Sequence, residues 1–497
     1  MDTKSWHREF VNNLKAGFLT VLGAALLLGS EVETFAEKPV TKKPNVIFIL
    51  ADDLGYADVG VYGAKGFETP NLDRMAAEGM RFTDFYTGGP ICSPTRAAFM
   101  TGSYPQRVGL ERALAPIKGR IGGLEGEIGI SSDELTIAES LEQNGYATAC
   151  FGKWHLGHQK EFLPTNHGFD EYFGLPYSND MISTTIISGN SGLRFPEKLP
   201  IVEGDKIVGY DPDQRSLTTI YTERSVSFIK RHKNKPFFLY LAHSMPHVPI
   251  HVSDKFKGKS KQGPYGDVIM EIDWSVGEIL KTLKQNGLDE NTIVMFASDN
   301  GPWLAYGNHA GSATPFRDGK VTTFEGGMRV PFIVRWPGKI PAGKISYELV
   351  TIMDVFPTVA YLTGSTLPEK KIDGKNIWSL LAAEKGAKSP HEAFYYYYTL
   401  QLEAVRSGKW KLHFPHGYYH VPQPGMDGVR GNPGSAKIEM ALYDLKNDAG
   451  EKTNLAEKHP EIVEKLNALA DRMRKELGDS LHSVTGEGRR SPGRVQE

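Results

Sequence analysis

Val46-Ile-Phe-Ile-Leu50, running straight into Ala51-Asp52-Asp53, is an apolar run of strand length that stops on two adjacent carboxylates. A run without polar alternation suits a strand buried on both faces, the kind that parallel sheets contain. Four more runs of this kind follow at residues 147–151, 237–241, 293–297 and 332–334. Between them, apolar spacing near 3.6 predicts helices over 71–78, 133–144, 221–231, 268–285 and 355–362, several with Asp, Ser or Thr at the start and Gly at the end. Strands alternating with helices predict an α/β fold, a large mixed sheet sandwiched by helices.

The pattern changes after Leu381. Residues 393–398, 404–406, 410–413 and 442–445 read as short alternating strands, with a helix over about 460–477. We expect a large α/β domain over 44–385 and a smaller C-terminal α+β domain over 386–485 with an antiparallel sheet. The Gly- and Pro-rich segment 417–436 reads as a long surface loop, and residues 486–497 as a disordered tail. No internal repeat is visible.

At the other end, Lys4, Arg8 and Lys15 precede an apolar run from Ala16 to Leu28 that is too short for a bilayer span of about 20 residues. This reads as a secretory signal over 1–36, with cleavage after Ala36, or alternatively near Ser30, and a periplasmic or secreted product that is not held in a membrane. The 497 residues with 40% hydrophobic content can bury a large core, so whole-chain disorder is excluded. With 57 basic and 59 acidic side chains, no global field recruits nucleic acid or an anionic membrane. Two cysteines in an exported chain make no disulfide framework. A bridge between Cys92 and Cys150 stays open, although Cys150 inside an apolar strand reads most simply as a core thiol.

In α/β sheets ligands gather beyond the carboxyl ends of strands. There the chain places Asp52-Asp53, Gly152-Lys153-Trp154-His155, His243-Ser-Met-Pro-His247 and Ser298-Asp299-Asn300-Gly301. Asp52, Asp53, Asp299 and Asn300 make an all-oxygen set suited to a hard cation such as calcium, whereas zinc prefers His or Cys. Taken singly, Asp-Asp and Asp-Asn-Gly are ordinary turn residues; two such pairs closing two apolar strands favour a metal.

The most specific motif is Cys92-Ser-Pro-Thr-Arg96, continued by Ala97-Ala-Phe-Met-Thr-Gly102. It is similar to the C-x-P-x-R signature of the type I sulfatases, in which the Cys is oxidised to formylglycine. The chain also resembles that family at Ala51–Tyr56, Gly152–Gly157, Ser298–Gly301 and Asp318–Gly327, over roughly Pro44 to Gly450, nearest the arylsulfatase A and N-acetylgalactosamine-6-sulfatase branch. The resemblance implies an alkaline-phosphatase-like fold and a sulfate-ester hydrolase. It implies calcium on Asp52, Asp53, Asp299 and Asn300, with a formylglycine at position 92 completing the metal site and serving as nucleophile. Arg96 would orient the nucleophile. By motif, Lys153, His155, His247 and Lys320 match the family's catalytic Lys and His, and Ser178 matches a serine near the sulfate.

Those types suit the chemistry. Cleaving a sulfate monoester piles charge on the leaving oxygen, so cations must hold the sulfuryl group and an acid must protonate the alcohol. His247, with Lys320 beside it, is the expected acid. His155 is the expected base, because imidazole titrates near neutral pH. His243 and His251 read as solvated groups. Trp303, Tyr306 and His309 line either a sugar subsite or a packed loop. Sulfated polysaccharide or glycosaminoglycan fragments are the expected substrates, and a formylglycine-generating enzyme the expected partner. The alternatives are a phosphonate or phosphate ester hydrolase of the same fold, a non-catalytic glycan-binding protein, and an enzyme using unmodified Cys92 as thiolate.

Overall fold

The computed structural model describes residues 42–116, 127–182 and 195–495; the expected signal over 1–36 lies outside the described residues. Residues 43–497 gather into one unit, so the boundary drawn at 385 marks a change of sheet rather than a break in packing.

The core is an 11-stranded sheet. Its main path runs Lys344–Ser346, Met80–Tyr86, Arg329–Arg335, Thr292–Ser298, Asn45–Ala51, Phe237–Ala242, Ala147–Gly152, Glu171–Gly174, Pro200–Glu203, Lys206–Tyr210. The five central strands, from Thr292–Ser298 to Glu171–Gly174, are mutually parallel. Arg329–Arg335 runs antiparallel to both of its neighbours.

The pleat explains why the central runs are apolar throughout. In Asn45–Ala51, Val46, Phe48 and Leu50 face one core while Ile47, Ile49 and Ala51 face the other. The first core takes up helix Cys92–Thr101, whose Phe99 stacks on Phe48 at 4.2 Å. Helices Ile137–Gln143 and Val355–Thr363 lie on that side too. The second core packs Pro70–Ala77, Leu217–Arg231 and Pro264–Gln285. Because the central strands are parallel, their carboxyl ends open on one rim.

A second, four-stranded antiparallel sheet, Phe394–Tyr398, Gln401–Ser407, Trp410–His413 and Ala441–Asp444, joins the first core together with helix Pro460–Leu477. Two expectations are corrected. Residues 417–436 are not a loop: His416–Gln423 pairs antiparallel with Asn432–Ile438 in a separate hairpin. His416 is the one buried position of its two strands, so no buried face imprinted a period of two on the sequence. Nor are residues 486–495 a loose tail. Gly493–Arg494 pairs with Ile128–Gly129, and Arg490 grips Glu134 through two bonds of 2.6 and 2.7 Å. The strand Met80–Tyr86 also went unread, because its Arg81, Thr83 and Asp84 interrupt the apolar pattern.

Candidate active site

Helix Cys92–Thr101 begins at the rim, so Cys92 sits at the positive end of its dipole, and Gly102 closes the helix in the left-handed region at φ 64°. One turn on, Arg96 is fully buried. Its Nε and Nη2 donate to Asp299 Oδ2 at 3.1 and 2.9 Å, and its Nη1 donates to the Lys153 carbonyl at 2.5 Å. Arg96 thereby ties the helix to two strand ends. Gly152 is required by close approach: a Cβ there would strike the Ala242 carbonyl of the neighbouring strand.

Around Cys92 the charges alternate. Its Sγ lies 3.4 Å from Asp52 Oδ1 and 3.4 Å from Lys320 Nζ. Lys153 Nζ donates to Asp52 Oδ2 at 2.6 Å and to Ser178 Oγ at 3.2 Å. Lys320 Nζ donates to both oxygens of Asp53 at 2.7 and 2.9 Å. His247 Nε2 stands 3.6 Å from Asp53 Oδ2, and Asn300 Nδ2 donates to Asp53 Oδ1 at 2.7 Å. Thus Asp52, Asp53, Cys92, Arg96, Lys153, Ser178, His247, Asp299, Asn300 and Lys320 converge, all of them buried.

Backbone strain marks the same place. Asp53 and His155 have φ of 67° and 63°, and β-branched Val321, beside Lys320, has φ 75° with its N–H bound to the Pro90 carbonyl.

Burial alone would raise the Asp52 carboxyl, but Lys153, His247 and Arg96 hold it well below the usual range. Asp299 is pushed up to about 7 by burial and the charge of Asp52, against the pull of Arg96. Burial works against the charge on Lys320, yet the Asp53 carboxylate keeps it firmly protonated. Burial drives the Cys92 thiol far up even with Lys153 and Lys320 beside it, so a thiolate nucleophile is disfavoured.

The two site histidines differ in which nitrogen carries the proton. His155 Nε2 meets the Leu114 carbonyl at 2.7 Å, an acceptor only, so Nε2 bears the hydrogen and the buried, partnerless Nδ1 is a bare base. Burial, Lys153 and Arg96 drive its pKa well below 6.5, which corrects the expectation of titration near neutrality: it stays an uncharged base. In His247 it is Nδ1 that donates, to the Val248 carbonyl at 2.6 Å, leaving Nε2 toward Asp53.

The structure also places His309, His243 and Cys150. His309 is not drawn into this cluster; it lies against the hairpin tip at Gly428. His243 is no solvated group but a fully buried one, with a pKa pushed down to about 3. Cys150 is a free, buried thiol, as is Cys92, and no bridge joins them.

The donors also answer the metal question. Ligand atoms of Asp52, Asp53, Cys92 and His247 lie within 4.8 Å of one another, and Asn300 Oδ1 is buried with no hydrogen-bond partner. With Asp299, which accepts the Asp53 N–H at 3.1 Å, the set is dominated by oxygen and fits a hard cation better than zinc.

Sequence reasoning missed Arg430. Its guanidinium carbon lies 5.3 Å from the centroid of the Trp303 ring, the same ring that has Lys320 Nζ at 4.6 Å and His247 at 5.6 Å. Its position in a Gly/Pro-rich segment gave no signal that it would fold back over the rim.

Comparison with known proteins agrees with this picture. Residues 44–365 match the sulfatase family model, and 389–487 match that of the C-terminal region of aryl-sulfatase. N-acetylgalactosamine-6-sulfatase of Canis lupus familiaris is 38% identical over 471 residues, covering 90% of this chain and 88% of its own length. Arylsulfatase A of Homo sapiens is 36% identical, covering 86% and 87%. Among solved structures, the PsFucS1 sulfatase from Pseudoalteromonas sp. superposes with a TM-score of 0.75 at 30% identity, over 87% of this chain and 91% of that one. Ps i-CgsB in complex with k-i-k-neocarrahexaose gives a TM-score of 0.70 at 29% identity, over 90% and 95%.

Proposed function

This chain belongs to the sulfatase family, and on that premise we propose that it hydrolyses sulfate monoesters of sulfated polysaccharide or glycosaminoglycan fragments at the rim around Cys92. That it is a sulfuric ester hydrolase of the alkaline-phosphatase-like fold follows from the family and its relatives. The sugar class rests on what those relatives are named for, and on an anion-accepting rim.

One observation carries the reading: Cys92 is the meeting point of two lysines and the Asp52 carboxylate, at the start of a helix pinned by Arg96. Cys92 is the position matured to formylglycine by a formylglycine-generating enzyme. Hydrated, that aldehyde would supply two hydroxyls on one carbon, for attack on sulfur and then for release of sulfate. Asp52, Asp53, Asp299 and Asn300 would hold calcium, which would draw in the sulfuryl oxygens and favour an ionised nucleophile.

The remaining roles belong to the chain itself. Lys153, braced by Ser178, and Lys320 supply positive charge to the sulfuryl oxygens. Three carboxylates face three cations here, so a bound divalent ion leaves an excess charge that an anionic ester neutralises. His247 Nε2, beside Lys320, is the proton donor to the leaving alcohol. Its pKa is lowered by burial and Lys320, and an arriving anion offsets both, so the donor forms as the substrate binds. His155 Nδ1 takes the proton that lets sulfate depart. Arg96 orients the nucleophile through its helix. Residues 1–36 direct the chain to the periplasm or out of the cell. Among the described residues no helix is long and apolar enough to cross a membrane.

The test is sulfate release by protein purified from the native host, on sulfated glycans and an aryl sulfate, beside the aryl phosphate. Mass analysis of the Cys92 peptide accompanies it. Formylglycine at 92 with sulfate released far faster than phosphate is expected; a persistent plain thiol in active enzyme refutes the mechanism. Chelation should stop the reaction, and calcium but not zinc should restore it.

A further inference from the structure

We propose that Arg430, carried to the rim by the hairpin His416–Gln423/Asn432–Ile438, holds a second anionic group of the substrate, a sulfate or a carboxylate, beside the sugar whose ester is cleaved. The inference rests on the sulfatase reading above and narrows its substrates to sugars bearing two negative charges.

Two buried donors lack acceptors at this place: Arg430 Nε and Trp303 Nε1. An unmet buried N–H is costly, and two on adjoining side chains suggest one ligand rich in lone pairs. Among the described residues Arg430 makes no ion pair. Its Nη2 donates to the Tyr419 hydroxyl at 3.1 Å, and its guanidinium lies over the Trp303 ring, so its charge is positioned but not neutralised. Structural arginines in this chain behave differently: Arg335 and Arg329 each grip two carboxylates.

The support is rigid. Gly425 and Gly431 both donate to the Ala305 carbonyl, at 2.9 and 2.8 Å. Asn308 and Asp427 exchange two hydrogen bonds of 2.8 Å. The hairpin is thereby clamped to the loop that carries Trp303, and Arg430 needs no ordering when a ligand arrives. Trp303 is also the ring over which Lys320 lies, and Lys320 touches the nucleophile position. A sugar lying along this indole would present its scissile sulfate at Lys320 and a neighbouring anion to the Arg430 fork, which suits sulfate or carboxylate bidentately.

The experiment compares kcat/KM on three disaccharides: a monosulfated neutral one, the same with a second sulfate, and the same with a uronate carboxylate. The matured wild type, Arg430→Gln and Arg430→Lys are measured on each. Expected is a wild-type preference for at least one doubly charged substrate over the neutral one, falling roughly 10- to 100-fold in Arg430→Gln through KM, and partly kept in Arg430→Lys. Which doubly charged substrate responds tells sulfate from carboxylate. An equal or higher wild-type kcat/KM on the neutral disaccharide overturns the proposal without needing a variant, should Arg430→Gln fail to fold. Selectivity unchanged in a folded Arg430→Gln also overturns it. No sulfate release by the wild type from any of the three defeats the sulfatase reading, and this inference with it.

Discussion

Two buried clusters of charge lie in this molecule, and they are built differently. One is the rim around Cys92. The other lies between the large sheet and the C-terminal sheet and centres on Glu325, whose carboxylate meets Lys411 at 3.0 Å, Arg329 at 3.3 Å and the hydroxyls of Tyr86 and Tyr396 at 2.6 and 2.8 Å. Lys411 also meets Glu451 at 2.9 Å, Arg329 and Arg406 each meet Asp84 at 2.6 Å, and Arg406 reaches the Tyr86 hydroxyl. Burial would raise the Glu325 carboxyl, yet Lys411 and Arg329 hold it far below its usual range, the mark of a satisfied anion. At the rim, by contrast, Asn300 Oδ1 and His155 Nδ1 have no partner, Asp299 is raised, and non-glycine residues sit at positive φ. Both clusters are charged and buried. What separates their centres is satisfaction: both oxygens of Glu325 are bonded within the network, while the rim leaves Asn300 Oδ1 and His155 Nδ1 open to a ligand.

The comparison breaks first at the nucleophile. Cys92→Ala should cut sulfate release by about 10,000-fold or more while leaving the unfolding midpoint nearly unchanged, because it removes chemistry and few contacts. A collapse in stability instead would place Cys92 with the structural network. The converse is Glu325→Ala, which strands Lys411 and Arg329 in the interior and should cost roughly 3–5 kcal/mol in denaturant unfolding. Should it lower kcat without touching stability, the division between the clusters is wrong.

A smaller effect sharpens the rim. His155→Gln should slow turnover by about 100- to 10,000-fold, the scale of a lost general base, with KM little changed. An unaltered kcat would remove His155 from the proton path.

The smallest test concerns the one strained member of the inter-sheet region. Burial pushes Glu403 up to about 8, with Thr323 donating to one oxygen at 2.7 Å and His416 Nε2 lying 3.3 Å away. Because its folded pKa stands above the unfolded value, its contribution is fully present below about pH 4.5 and is lost as pH rises through about 8. The wild type should therefore lose stability between pH 6 and pH 9, and Glu403→Gln should lose less. Parallel pH profiles of melting temperature would show that Glu403 carries no such linkage.

Much of the rim was legible because strand ends advertise themselves. An apolar run that stops on Asp-Asp or Asp-Asn must put those side chains where the sheet ends, and the parallel order then brings them together. Motif spacing placed Cys92 and Arg96 one helical turn apart, and Ser178 proved to touch Lys153. His309 was not fixed by the same logic: a residue well beyond a strand end goes where its loop goes, and this loop turns toward the hairpin. The hairpin itself was opaque, since strands with almost no buried positions carry no alternation to read.

What the amino-acid sequence determined alone was therefore the alternation of strands and helices, the residues delivered beyond strand ends, and the Cys92–Arg96 signature, all set by local periodicity and short spacing. What only the tertiary structure decided was protonation, satisfaction and closure. Which nitrogen of His155 is bare depends on the Leu114 carbonyl, 41 residues earlier in the chain. Whether a buried charge is finished depends on partners such as Glu325 and Lys411, 86 residues apart. Arg430 lies above Trp303 because two glycine N–H groups find the Ala305 carbonyl. Such contacts join distant segments through side chains and single carbonyls, and no periodicity along the chain encodes them.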